Sequence, residues 1–151
     1  MSHFTIDPLI ASTSWSLCQM DDFEVRLVND ARYHWLLLIP RLQGITELHD
    51  LSPAMRHQMM ELATSIGEIL STKTNADKMN IATIGNIVPA MHLHIIARHK
   101  TDSAWPNPVW GHGAPVPMDE AAALQKQTET KSWLDPVLSG GTAPHSDNKE
   151  E

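Results

Sequence analysis

The sequence predicts an α+β domain with an antiparallel sheet of about five strands, one long helix and a C-terminal helix. Three observations carry this. Short apolar and alternating runs cluster on both sides of a single long helical pattern, whereas a doubly wound sheet would alternate strand with helix. Residues 35–40 (WLLLIP) are continuously apolar, as in a strand covered on both faces. The chain of 151 residues, 42% hydrophobic and 19% charged, has the length and composition to close one core.

The elements follow in order. Asp7-Pro8 supplies an N-cap and a first helical residue for a short turn through Ser12. Residues 17–20 and 24–29 read as two short strands joined at the turn-forming pair Asp21-Asp22. In the second strand Val25 and Leu27 share one face; Glu24, Arg26 and Val28 share the other. Ser52-Pro53 opens the long helix, and Met55, Met59, Leu62, Ala63, Ile66, Ile69 and Leu70 recur at helical spacing until about residues 71–75. Residues 79–84 and 91–98 form two more strands, separated by Gly85-Asn86. A last helix spans residues 119–133.

The domain is expected to occupy residues 1–134. Residues 135–151 are rich in Gly, Ser, Pro and charge and are expected to form a disordered acidic tail. With 11 Lys+Arg against 18 Asp+Glu, the net charge of −7 argues against a nucleic-acid polymer as partner, because phosphate neutralisation needs clustered cations. The single cysteine, Cys18, excludes an internal disulfide and a cysteine zinc site. No basic leader and no run long enough to span a bilayer is present, so the expected location is the cytoplasm and no membrane partner is expected.

Residues 91–98 (MHLHIIAR) hold the chemistry. Strand alternation turns Met91, Leu93, Ile95 and Ala97 toward a core, and His92, His94, Ile96 and Arg98 to the opposite face. From periodicity alone three readings stand. The face is solvated and merely tolerates histidine. The His-x-His pair binds a metal, with a third ligand from His34, His49, His99 or His112. Or a histidine nucleophile, a second histidine and an arginine surround a phosphate.

The segment His92-Leu-His94-Ile-Ile-Ala-Arg98, preceded by Asn80 and Gly85-Asn86, resembles the histidine triad (HIT) superfamily of nucleotide hydrolases and transferases. The family pattern is His-φ-His-φ-His-φ-φ, where φ is apolar. Its second and third histidines fall on His92 and His94, and its first on Ala90, a departure; some bacterial HIT-like proteins carry Gln there. The resemblance extends over residues 15–112. It takes in Ile39-Pro-Arg41, the LHDLS stretch at 48–52, the long helix, the strand bearing Asn80, and the Trp-Pro segment 104–111.

The resemblance implies a HIT-like fold, a homodimer and a nucleotide ligand. No cofactor and no resident metal are implied. It makes His92 the nucleophile that forms a covalent nucleotidyl-imidazole, and His94 a donor to phosphate or leaving-group oxygens. A neutral imidazole suits the first role, since it is abundant and nucleophilic near neutral pH. Asn80, Asn86 and Arg98 would contact the phosphate, and Asn29 or Asp30 the ribose hydroxyls. His34 stands one residue out of register with a further family histidine, and such an offset turns it to the other face. Trp105 and Trp110 read as rings that pack a proline-stiffened loop rather than as a lid. Loss of the first histidine keeps a second expectation open, a nucleotide-binding protein with weak or no turnover; a His-based metal site is the third.

Overall fold

The computed structural model describes residues 3–139. In chain order it contains α1 (Pro8–Thr13), β1 (Ser14–Gln19), β2 (Phe23–Val28), β3 (His34–Pro40), a 3-10 turn (Leu48–Asp50), α2 (Pro53–Thr74), β4 (Lys78–Ala82), β5 (Leu93–Arg98) and α3 (Glu120–Leu138). The five strands form one antiparallel sheet in the order β1-β2-β3-β5-β4. The predicted α+β class is therefore the observed one.

Local chemistry starts and stops the helices as the sequence suggested. Asp7 accepts from the Leu9 N–H at 2.8 Å, with Pro8 as the first residue of α1. Ser52 accepts from Met55 N–H at 3.2 Å, and Pro53 begins α2. α2 ends where Asn75 turns left-handed (φ 53°, ψ 48°) and donates back to the Ser71 and Thr72 carbonyls. Asp119 caps α3 through Ala122 N–H at 2.8 Å.

The main core lies between one sheet face and the two long helices. Val25 and Leu27 of β2, Leu36 and Leu38 of β3, and Leu93, Ile95 and Ala97 of β5 meet Met59, Ala63, Ile66 and Leu70 of α2. Leu134 of α3 joins the same cluster. The other sheet face carries Trp35, Leu37 and Ile39 of β3 and is partly covered by Ile10 of α1 and the segment bearing Phe4 and Ile6. Glu24 and Arg26 also lie on that face, buried as an ion pair, with Arg26 donating to Ser14 Oγ at 2.8 Å.

Several boundaries differ from the sequence reading. β1 begins at Ser14 rather than residue 17, because pairing with β2 continues past a register shift between Ser16 and Cys18. β4 stops at Ala82, two residues early, and the chain leaves the sheet toward Gly85, whose φ of +72° suits glycine. β5 begins at Leu93, so His92 sits just outside it. The largest correction concerns the end of the domain. α3 does not stop at Trp133, and residues 135–138 of the expected tail are helical. Pro136 falls in the last turn, where it forgoes a single backbone hydrogen bond, to the Ser132 carbonyl, and Leu138 packs on the core beyond it. The remainder of that expected tail, residues 140–151, lies outside the described residues.

Leu134 is fully buried and ties α3 to the core. Leu134→Ala is expected to cost about 2–5 kcal/mol. Equilibrium denaturation should show a lower midpoint with an unchanged slope.

Candidate active site

Antiparallel pairing of β3 with β5 sets Leu37 opposite His94 and Trp35 opposite Ile96. His92, His94, Trp35 and Leu37 thereby gather on the face away from α2. They line a cleft of about 660 Å³, together with Ile10 and Thr13 of α1, Asn29, Asp30, Asn86 and Trp110.

Both histidines have their proton positions fixed by their neighbours. His92 Nδ1 lies 2.6 Å from the carbonyl oxygen of Ala90. A carbonyl can only accept, so Nδ1 carries the proton, and in the neutral ring the lone pair is on Nε2. His94 is held the opposite way. The Trp35 indole N–H can only donate, and it reaches His94 Nδ1 at 3.0 Å. The neutral His94 ring therefore carries its proton on Nε2. Burial, helped by the adjacent His92, pushes the His94 pKa down to about 3, so this ring is a neutral donor at physiological pH. The two imidazoles stand edge to face with centroids 4.8 Å apart. The pair thus offers one nucleophilic nitrogen and one N–H donor side by side.

Trp110 closes this arrangement, edge-on to His94 at 5.1 Å and to Trp35 at 6.0 Å. Its loop is anchored by Arg98. That guanidinium is 2% exposed and donates to Asp102 at 2.8 Å, Asn80 Oδ1 at 2.8 Å and the Asn107 carbonyl at 2.9 Å. It also stacks against Trp105 at 5.7 Å.

Of the residues expected to contact nucleotide, the structure brings His92, His94, Asn86, Asn29 and Asp30 to the cleft. It does not bring Asn80 or Arg98 there. Both share the face by strand alternation, but the Arg98 charge is spent on Asp102 and the loop, and Asn80 is its partner. Asn29 and Asp30 reach the cleft already engaged. Asn29 Oδ1 accepts from Met118 N–H at 2.8 Å. Asp30 accepts from Arg32 Nε at 3.0 Å and Nη2 at 2.8 Å, and from Val116 N–H at 3.4 Å. Burial alone would raise the Asp30 pKa; hydrogen bonds from Arg32 and Val116 outweigh it and hold the carboxyl below its ordinary value. These two side chains pin residues 115–118 across the cleft, with Pro115 and Pro117 forming part of its wall.

His34 lies on the opposite face, as its offset implied. Thr130 gives its own proton to the Lys126 carbonyl and accepts from His34 Nε2 at 2.8 Å. Burial, with Lys126 and His99 nearby, lowers the His34 pKa to about 3. His99 donates from Nε2 to the Thr74 carbonyl at 3.0 Å. Among the described residues no three His, Cys, Asp or Glu side chains gather to hold a metal ion. The sequence reading missed Trp35 and the 115–118 strap. Trp35 alternates with Leu37 along β3, so its face was readable; its hydrogen bond to a ring 59 residues away was not. Trp110 packs the loop as expected but also lines the cleft.

Two outcomes follow from these protonation states. Trp35→Phe keeps the ring and removes the donor. Nitrogen-15 NMR should find His94 fixed with its proton on Nε2 in the parent, and in the variant a mixed tautomer that titrates at higher pH. Stability should also fall in acid. His34 and His94 are neutral in the fold but would protonate near their ordinary pKa once unfolded, so the unfolded state binds more protons between roughly pH 6.5 and 3. The stabilisation is complete above that window and is lost as pH falls through it. At about pH 5 the loss should be about 2 kcal/mol for each group. Denaturant titration at neutral and acid pH should show it, and His34→Gln should halve it.

The HIT domain family model matches residues 12–101. Among solved structures, a histidine triad protein of Bradyrhizobium japonicum is 34% identical with a TM-score of 0.81, the match covering 90% of this chain and 98% of that one. A histidine triad protein of Marinobacter aquaeolei is 33% identical with a TM-score of 0.83, covering 93% of this chain and 100% of that one. A histidine triad protein of Sinorhizobium meliloti is 32% identical with a TM-score of 0.82, covering 85% and 96%. No curated protein matches the chain. No helix among the described residues is long and apolar enough to cross a membrane. Sequence motif, sheet order, paired imidazoles and these relatives agree: the chain belongs to the HIT (histidine triad) family.

Proposed function

We propose that the protein is a nucleotide-binding phosphohydrolase that cleaves a nucleoside phosphate ester or phosphoramidate through a covalent nucleotidyl-histidine on His92. The observation that carries the reading is the 2.6 Å bond from His92 Nδ1 to the Ala90 carbonyl, which leaves Nε2 as the free nucleophile in the cleft. Family membership supports a nucleotide ligand.

The first step forms a bond from His92 Nε2 to phosphorus and breaks the bond to the leaving oxygen or nitrogen. That atom departs with its electron pair and takes a proton from water at the cleft mouth. His94 Nε2–H stabilises the charge that builds on a phosphoryl oxygen, as a fixed dipole that needs no reorganisation. The positive charge left on the His92 ring is balanced by its Nδ1–H bond to Ala90. In the second step water attacks phosphorus, the P–N bond breaks, and one proton is released with the nucleotide.

Asn86 is exposed at the cleft and is the phosphate-side polar contact in this reading; Asn29 and Asp30 shape the ribose side by fixing residues 115–118. Asn80 and Arg98 act indirectly, by holding the loop that carries Trp110. The protein acts as a homodimer, as the family resemblance suggests, and in the cytoplasm, as its single cysteine suggests.

A second reading is favoured by Ala90, which has no polar side chain with which to assist the leaving group. In it the site binds nucleotide with little turnover, since a missing proton donor costs about 10²–10⁴ in rate.

One experiment separates the two. The protein is mixed with adenosine 5′-phosphoramidate and quenched rapidly, and its intact mass is measured. The hydrolase reading expects one nucleotidyl group on His92, and a loss of turnover of about 10³ or more in His92→Ala. Bound AMP with neither adduct nor turnover would establish the binding reading in its place.

A further inference from the structure

Among the described residues the cleft is lined by one carboxylate, Asp30. An ionised carboxylate is an acceptor with two oxygens, the side chain suited to hold the vicinal hydroxyls of a sugar. Whether it can do so depends on what already holds it. Asp30 Oδ1 accepts from the Arg32 backbone N–H at 3.1 Å and from Arg32 Nε at 3.0 Å, and Oδ2 accepts from Arg32 Nη2 at 2.8 Å. The guanidinium thus spans both oxygens, in the paired geometry that Arg and carboxylate favour. Asp30 is 1% exposed. A ligand hydroxyl would have to displace a charge-assisted bond to reach it, exchanging a stronger partner for a weaker one.

The guanidinium is tied down in turn. Its Nη1 donates to the His112 carbonyl at 2.5 Å. Ala31 N–H, between the two charged residues, donates to the Val116 carbonyl at 2.6 Å. Asn29 Oδ1 is taken by Met118 N–H at 2.8 Å, which leaves its neutral amide N–H group on offer. The turn between β2 and β3 therefore holds residues 112–118 along their length. Elsewhere on this side of the cleft the polar side chains are Ser12 and Thr13. Both hydroxyls donate to the Leu9 carbonyl, at 3.1 and 2.7 Å, and both residues are exposed, so a ligand hydroxyl would only replace water there. A carboxylate grip on a hydroxyl is worth about tenfold or more in affinity; replacing water at an exposed neutral hydroxyl is worth about threefold at most.

We infer that the Asp30–Arg32 pair is a clasp for residues 112–118 and that the cleft leaves the sugar hydroxyls unread, so that nucleotides with and without a 2′,3′-diol are equivalent ligands. In this geometry Arg32 determines specificity, because it commits the cleft carboxylate to the protein's own chain. The inference rests on the nucleotide reading above but not on turnover.

The test therefore measures binding. Calorimetry on the full chain compares AMP and GMP with their 2′,3′-dideoxy counterparts, which keep the base and the phosphate. For whichever base binds, the dideoxy compound should fall within about fivefold of its parent. Asp30→Asn keeps the shape of the side chain and removes the charge that holds Arg32. Arg32→Leu removes the other half of the clasp. Each variant should change both members of a pair by the same factor, to within about twofold, and should speed amide hydrogen exchange at Val116 and Met118 by about tenfold or more. A preference of fivefold or more for the diol in the parent protein would overturn the inference. So would a variant that weakens AMP and spares dideoxy-AMP, or exchange unmoved in both variants. AMP bound with a strong diol preference would overturn this inference alone and leave the nucleotide reading standing. No binding of any of the four compounds would overturn both.

Discussion

β5 runs between β3 and β4, and its register against β3 fixes what the cleft can be. Leu37 stands opposite His94, and Trp35 lies one pair further along opposite Ile96. A slip of one residue would send both imidazoles into the core and bring Leu93 and Ile95 to the cleft. The slip is opposed on both sides of the sheet. On one side Leu93, Ile95 and Ala97 meet α2; on the other the Arg98 guanidinium has three partners that only this register supplies. Breaking one partner of such a buried charge leaves it uncompensated, a far larger cost than an exposed ion pair would carry. The site is thus placed by interactions that do not themselves touch its chemistry.

That placement explains the electrostatics. Arg98 and Arg32 are cations near the cleft, but each is committed to a carboxylate, Asp102 and Asp30 respectively. The cleft is left with dipoles: a Trp35 N–H aimed at one ring, an Ala90 carbonyl aimed at the other, and the N–H groups those bonds orient. In a water-poor site fixed dipoles act strongly and need no rearrangement when charge develops. Neutrality of His94 belongs to the same design, because a protonated ring there would lose the Trp35 bond and face His92 at 4.8 Å. The expected acid sensitivity of the fold and the neutral state of His94 have one origin, the withdrawal of imidazoles from water.

Sequence periodicity conveyed this architecture unevenly. Helix starts were legible because Asp7-Pro8, Ser52-Pro53 and Asp119 act within a few residues of themselves. Faces were legible because alternation is a local rule: His92 and His94 fell together, and His34 fell on the far side. Arg98 shows where that rule stops. Its face was read correctly, but face does not say whether a cation meets ligand or protein, and Asp102 and the Asn107 carbonyl decided the matter through a loop whose path periodicity does not encode. Residues 115–118 were invisible for the same reason, since their docking depends on Asn29 and Asp30 more than 80 positions earlier. At the C-terminal end, composition misled. The Asp135-Pro136 pair suggests a break, yet one buried Leu134 and the packing of Leu138 extend the helix past it.

Ala90 separates two kinds of function that one family position ordinarily combines. The backbone carbonyl orients the next-but-one imidazole, and any residue supplies it. A side chain at that position can add polarity near the reacting atoms, and alanine does not. The orientation of His92 is therefore kept while the polar group is missing. Ala90 itself lines a hollow built from the N-terminal segment and the turn after β3. Losing a polar group in an apolar neighbourhood removes a desolvation cost as well as a donor. An alanine there keeps the orientation of His92 through its carbonyl and offers no polar side-chain atom of its own.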